Sequence, residues 1–333
     1  MSALTMSSYS GFSNGVMIRG VPIVQTHPGR VFWVYNGTVL NGQNHANGSD
    51  GNDGTFRRPF ATINYAVTQC NGGRGDVIVV RPGHAETVST AAGIILGVAG
   101  IAIIGLGYGS NRPTITMSAT TSTITVTAND IAIQNFLFLG TAATTFTATC
   151  FNNANAVVAT DFTIDNCEFR DSSATTGFIA CYTGGTTANQ SDGLTFTNNK
   201  VFRKLTSPPA ANTAVVFGAA VDRVTFNDNV IINKTANNNI ALGVAFGANA
   251  VQNLQMARNR TYSLNTTSTA GELMSGGSTT SSGMLWDNYV WSLSAAGGAG
   301  LLAPIGTKLG FSQNFASITG AADKQPLLNP TAV

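Results

Sequence analysis

The stretch "FTIDNCEF", Phe162 to Phe169, alternates apolar and polar residues, breaks at an Asn-Cys step and is apolar again at Phe169. Alone it reads as a short strand running into a turn. The same texture returns along the chain. A template of apolar-x-apolar, a turn residue four or five places on and an apolar residue at seven fits "IAIQNFLF" from Ile131, "LTFTNNKV" from Leu194, "VTFNDNVI" from Val224, "LQMARNRT" from Leu254 and "MLWDNYVW" from Met284. "LGFSQNFA" from Leu309 fits more loosely, and "IAIIGLG" from Ile101 and "VIVVRPG" from Val77 fit the first half. Between Ile101 and Met284 the starts are separated by 30, 31, 32, 30, 30 and 30 residues, which makes nine repeats in all.

A fixed period of this size marks a repeat architecture. Each unit carries a second short apolar piece upstream, such as "TITV" at Thr123, "AVVF" at Ala214, "GVAF" at Gly243 and "GLLA" at Gly300, and none has ten residues of helical periodicity. Two or three short strands cannot bury an apolar side alone, but they can by coiling and stacking in parallel at about 4.8 Å per coil. The expected fold is therefore all-β, a right-handed parallel β-helix of about nine coils and roughly 40 Å in length. The predicted inward columns are Ile131/Ile133, Phe162/Ile164, Leu194/Phe196, Val224/Phe226, Leu254/Met256 and Met284/Trp286, with Ala132, Thr163, Thr195, Thr225, Gln255 and Leu285 pointing outward between them. Five places after each start come Phe136, Cys167, Asn199, Asn229, Asn259, Tyr289 and Asn314. Asn tolerates the left-handed backbone of a sharp turn, and stacked amides can bond from coil to coil. This row resembles the asparagine ladder of pectate-lyase-like right-handed β-helices.

Composition agrees. Of 333 residues 43% are hydrophobic and only 10% charged, against about 25% in ordinary globular domains, a balance that suits strands and turns over surface helices. A net charge of +2 without a basic run gives no footprint for nucleic acid. The longest apolar run, Ala91 to Gly107, is broken by glycines and short of the roughly 20 residues that cross a bilayer, so no membrane partner is expected. The opening residues lack a basic n-region and an apolar h-region, so no secretory signal is expected. Cys70, Cys150, Cys167 and Cys181 have neither disulfide-framework nor zinc spacing and read as buried thiols.

Ahead of the coils, Phe60, Ile63, Val67 and Cys70 fall on one face of a short helix near residues 59–70, started by Pro59 and ended by Asn71-Gly72, which is expected to cap the first coil. The segments "GNDGTFRRPFATINYA", "GDVIVVRPGHAETV" and "IAIIGLGYGSNRPTI" resemble a family of virion structural proteins of tailed bacteriophages, closely over Val31 to Ile115 and in architecture beyond. The resemblance implies a non-enzymatic homotrimer on the capsid surface, in contact with the major capsid protein. A tail fibre or tailspike that binds host polysaccharide is the alternative. Residues 1–30 read as an N-terminal arm, 31–316 as the β-helix and 317–333 as a C-terminal tail or cap.

Candidate chemistry is sparse. Asp130, Asp161, Asp192 and Asp222 precede successive strands, and carboxylates on neighbouring coils would lie at the separations glycosidases use. The competing reading is that each Asp opens a turn by bonding local backbone N–H groups. His27, His45 and His84 are the only histidines, so later coils have no imidazole base. "SDGNDG", Ser49 to Gly54, has too few acidic positions for an EF-hand loop and reads as a Gly/Asp turn. Glu168 and Lys200 are expected to pair across coils, and Arg258 and Arg260 to be solvated flanks. No catalytic, cofactor-binding or metal-ligating residue is assigned, and no cofactor is expected.

Overall fold

A computed structural model describes residues 17–18, 21–22, 29–37, 46–142, 147–153, 157–204, 213–234, 241–263, 272–292, 303–304 and 308–318. Most of the expected arm and nearly all of the expected tail lie outside the described residues. Within them the chain is a parallel β-solenoid, consistent with right-handed winding. Each complete coil supplies one strand to each of three sheets. Sheet I has ten strands, from Val31–Val34 to Lys308–Ser312; sheet II has nine, from Ala85–Val88 to Phe315–Ile318; sheet III has eight, from Ile94–Leu96 to Ala303–Pro304. The coil count thus differs from nine equal repeats, because Val31–Val34 adds an unanticipated strand ahead of Val77–Val80.

The predicted columns stack in register through most of the rod. Ile103, Ile133, Ile164, Phe196, Phe226 and Met256 lie one above another. Their side chains are almost fully buried. Aromatic rings continue the stacking, with Phe196 and Phe226 at 5.3 Å and 6° between planes, and Phe138 and Phe169 at 5.0 Å.

Two registers are corrected. Met256 pairs with Leu285 and Gln255 with Met284, so Gly283 and Leu285 point inward while Met284 is 52% exposed. Likewise Ile78 and Val80 are the buried positions of their strand, Val77 faces outward, and Asp76 occupies the place of Ile101 on the next coil. In both stretches every residue is apolar, so alternation alone leaves the phase open.

The turn from sheet I to sheet II refines the asparagine reading. The left-handed residue is one place earlier than expected: Asn135, Asn166, Asn198, Asp228, Arg258, Asp287 and Gln313 have φ between 50° and 62°. The next residue points inward. Asn199, Asn229, Asn259, Asn288 and Asn314 are buried there, Asn288 standing where Tyr289 was expected. Each Nδ2 donates to a carbonyl of the preceding coil, as in Asn229 to Phe196 O at 2.9 Å and Asn288 to Met256 O at 2.8 Å. Each Oδ1 accepts the backbone N–H of the equivalent preceding residue, as in Asn199 N to Asn229 and Asn229 N to Asn259. Cys167 begins this row: its N–H donates to Asn199 Oδ1 at 2.8 Å, and its thiol lies 3.9 Å from Ile133 O, where the later members put an amide.

The helix expected over 59–70 contracts to the six residues Ile63–Thr68. Phe60 is held in a bridge to Val34, so Pro59 does not begin it. Thr62 is the N-cap, its hydroxyl accepting from Tyr65 N, and Asp50 Oδ1 accepts from Ala61 N and Thr62 N. The C-cap is Gln69. Ile63, Ala66 and Val67 are buried against the strands Val31–Val34, Val77–Val80 and Ile94–Leu96.

Replacing Asn259 with Ala removes the acceptor of the buried Asn229 N–H and the amide donor to the Phe226 carbonyl. A loss of about 2–4 kcal/mol is expected, comparable with about 3–5 kcal/mol for Phe226→Ala. Urea denaturation of both variants checks this, and an Asn259→Ala effect below about 0.5 kcal/mol would show that the ladder is dispensable.

Candidate functional site

The carboxylates before the sheet I strands were the first candidates, and the structure divides them. Asp130 and Asp161 occupy the left-handed position themselves, each with φ 56°. On the next two coils Gly193 and Arg223 take that position, so Asp192 and Asp222 stand one place earlier. Three of these acids are bonded to other coils. Asp192 Oδ1 accepts from Asp222 N at 2.9 Å, Asp222 Oδ1 from Asn253 Nδ2 at 2.8 Å, and Asp161 Oδ1 from Arg223 Nη1 at 2.9 Å. Burial pushes the Asp192 carboxyl above the usual range, partly opposed by the N–H of Asp222. The partners are cross-coil groups in place of the local backbone N–H groups expected of a turn-opening Asp, and a guanidinium spans two coils from Arg223 to Asp161.

Other charges resolve similarly. Glu168 and Lys200 do share a column. The ion pairs of Glu168, however, go to Arg170, which also donates a hydrogen bond to it, and, at 3.5 Å, to Arg112. Arg258 is more than a solvated flank: it grips Asp228 with Nε and Nη2 at 2.7 and 2.6 Å, which raises the guanidinium's pKa. In the Ser49–Gly54 loop, Asp50 is occupied by the helix cap and Asp53 Oδ1 accepts from Thr55 N and Oγ1. His84 is buried, its Nδ1 accepting from Asn36 N and its Nε2 lying 3.2 Å from Glu86 Oε2. His27 and His45 lie outside the described residues. All four cysteines are buried and free. Burial pushes the thiols of Cys70, Cys167 and Cys181 up to about 12, and that of Cys150 well above its ordinary value.

Three charged side chains, Arg203, Asp171 and Asp76, are buried inside the coil. Arg203 donates to Phe178 O and Thr213 O, both at 2.8 Å, and lies 3.6 Å from Asp171, whose Oδ1 accepts from Phe178 N. Asp76 accepts from Arg30 N, from Asn71 N and from two nitrogens of Arg74. Burial raises its pKa, but these donors outweigh burial and hold it at about 2.

The feature missed in the sequence is the outward face of sheet II. Eight places after the strand starts come Leu139, Arg170, Phe202, Ile232, Tyr262 and Trp291, paired in one column. Beside it runs a second column of Leu137, Glu168, Lys200, Val230, Arg260, Tyr289 and Phe315. Tyr289 is 36% and Phe315 42% exposed, and the rings of Tyr262 and Tyr289 are 6.0 Å apart. A groove lined by Arg170, Phe202, Lys204 and Lys234 borders this face on one side. One lined by Asp228, Val230, Arg258, Arg260 and Asp287 borders it on the other. The signal was available as a fixed offset, but a template built to find core positions passes over apolar residues that point outward.

No protein-family model matches the chain, and no curated protein matches it. Among solved structures it is similar to a rhamnogalacturonan lyase, at a TM-score of 0.34 and 14% identity over 86% of this chain and 74% of that one.

The folded-state pKa of Asp76 is below its ordinary value. Its contribution of about 2 kcal/mol should therefore be complete above pH ~4 and lost as pH falls through about 2. Asp76→Asn is expected to remove that part of the acid limb of a stability–pH profile, and an unchanged limb would contradict it. The four thiols should resist a disulfide reagent at pH 8 in the native protein and react after denaturation. Rapid native labelling would show that the cysteine columns are open.

Proposed function

We propose that the chain is a non-enzymatic structural component of a tailed-phage virion, a homotrimeric rod that decorates the capsid exterior by binding the major capsid protein. Two things support the reading. One is the resemblance of the segment from Val31 to Ile115. The other, which carries it, is that the repeat is devoted to mechanical continuity. Backbone hydrogen bonds run from coil to coil along three sheets, and the ladder from Asn199 to Asn314 doubles them at the sharpest turn. The carboxylates best placed for hydrolysis are tied to other coils, Asp192 and Asp222 to the next coil and Asp161 to the next but one. A decoration protein must stay folded and attached, and cross-coil bonding serves that end directly.

Mixing the purified chain with undecorated heads and imaging the particles by cryo-electron microscopy tests this. Three-fold density on the head exterior is expected, with a free species near three times 34.4 kDa in sedimentation. Density confined to the tail would replace the reading with the fibre or spike alternative. A 34.4 kDa monomer that ignores heads would remove it.

A further inference from the structure

The outward face of sheet II combines two features that a purely structural rod does not need. The first is a column of flat or bulky side chains, Phe202, Ile232, Tyr262 and Trp291, on four successive coils and so at intervals of about 4.8 Å. The second is positive charge at its edge. Lys204 and Lys234 are neighbours on successive coils and line one groove with Arg170 and Phe202, the Arg170 guanidinium lying 5.8 Å from the Phe202 ring centre. Among the described residues, no carboxylate lies within ion-pair distance of Lys204 or Lys234. Stacking two ammonium groups one coil apart is unfavourable unless something anionic sits between or over them.

We infer that this face is a binding track for an extended anionic polysaccharide, its sugar rings stacked along the Phe202–Trp291 column and its acidic groups held by Lys204 and Lys234. The charge and the pitch select this occupant. An extended pyranose chain advances by roughly one coil spacing per sugar, so successive rings meet successive side chains without bending the ligand. Aromatic faces hold sugar C–H surfaces and leave the hydroxyls in water, and cations supply charge-assisted bonds to carboxylate or sulfate. An acidic protein surface would answer the cations and leave the aromatic column uncovered. A second copy presenting the same face would bring Lys204 and Lys234 against their own counterparts. The inference goes beyond capsid decoration and does not depend on it.

Affinity electrophoresis of the full chain tests it, in gels containing polygalacturonate, alginate or chondroitin sulfate, with dextran and polyglutamate as controls. At least one anionic polysaccharide should retard the chain about tenfold more strongly than either control. Lys204→Ala/Lys234→Ala should abolish most of that difference. Tyr262→Ala should weaken the saccharide effect several-fold while leaving mobility in polyglutamate unchanged. Lys204→Gln/Lys234→Gln repeats the charge test if the alanine variant melts early. Three results each overturn the inference: no retardation by any of the three polysaccharides, equal retardation by polyglutamate that ignores Tyr262→Ala, or a concentration-dependent dimer that the same substitutions dissolve.

Discussion

The structure depends on how the chain turns from sheet I to sheet II. Two strands of one coil meet there at a sharp angle, and a single left-handed residue makes the bend. The next residue must face the core, carrying its backbone N–H inward beside a carbonyl of its own coil. The inward asparagine of the following coil reaches both, accepting from the N–H through Oδ1 and donating to the carbonyl through Nδ2, as Asn259 does to Asn229 N and Phe226 O. A buried amide is normally unfavourable. Here it is satisfied on both sides by the stacking that it enforces, so burying it and building the next coil are one event.

Other charged groups in the interior follow the same logic. Asp76 takes a place in the first inward column because four donors from the front segment converge on it. Arg203 and Asp171 end the inward column of sheet II and tie that sheet to the strands of sheet III through Phe178 and Thr213. Cys167 and Phe136 occupy the ladder position on earlier coils, where the row passes from amides to apolar side chains. Charges on the outside of the turns bridge coils in the same direction, as Arg223 does to Asp161 and Arg258 to Asp228.

The parts legible in the sequence are those governed by one column at a time. Ile133, Ile164, Phe196 and Phe226 alternate with Ala132, Thr163, Thr195 and Thr225, and burial on one side only makes such a pattern unambiguous. It fails at "MLW" and "VIVV", where both faces are apolar. At Met284 the inward place falls to Gly283, where a Cβ would lie 2.3 Å from Leu254 O. The bend was misplaced by one residue because Asn198-Asn199 offers two asparagines, one for the left-handed backbone and one for the ladder, with no difference in composition to tell them apart. The aromatic columns of sheet II went unread for a related cause: Phe202 and Tyr262 carry the same hydrophobicity as core residues, and only the three-sheet geometry shows which way they point.

The amide row also has a polarity. Every member serves the coil before it and relies on the coil after it, and no member refers to its absolute place in the rod. Whole turns of about thirty residues can therefore be gained or lost between any two asparagines with all three sheets still in phase. Rod length in this architecture is a quantity that gene duplication can change in unit steps, while a shift of a single residue throws a sheet out of phase.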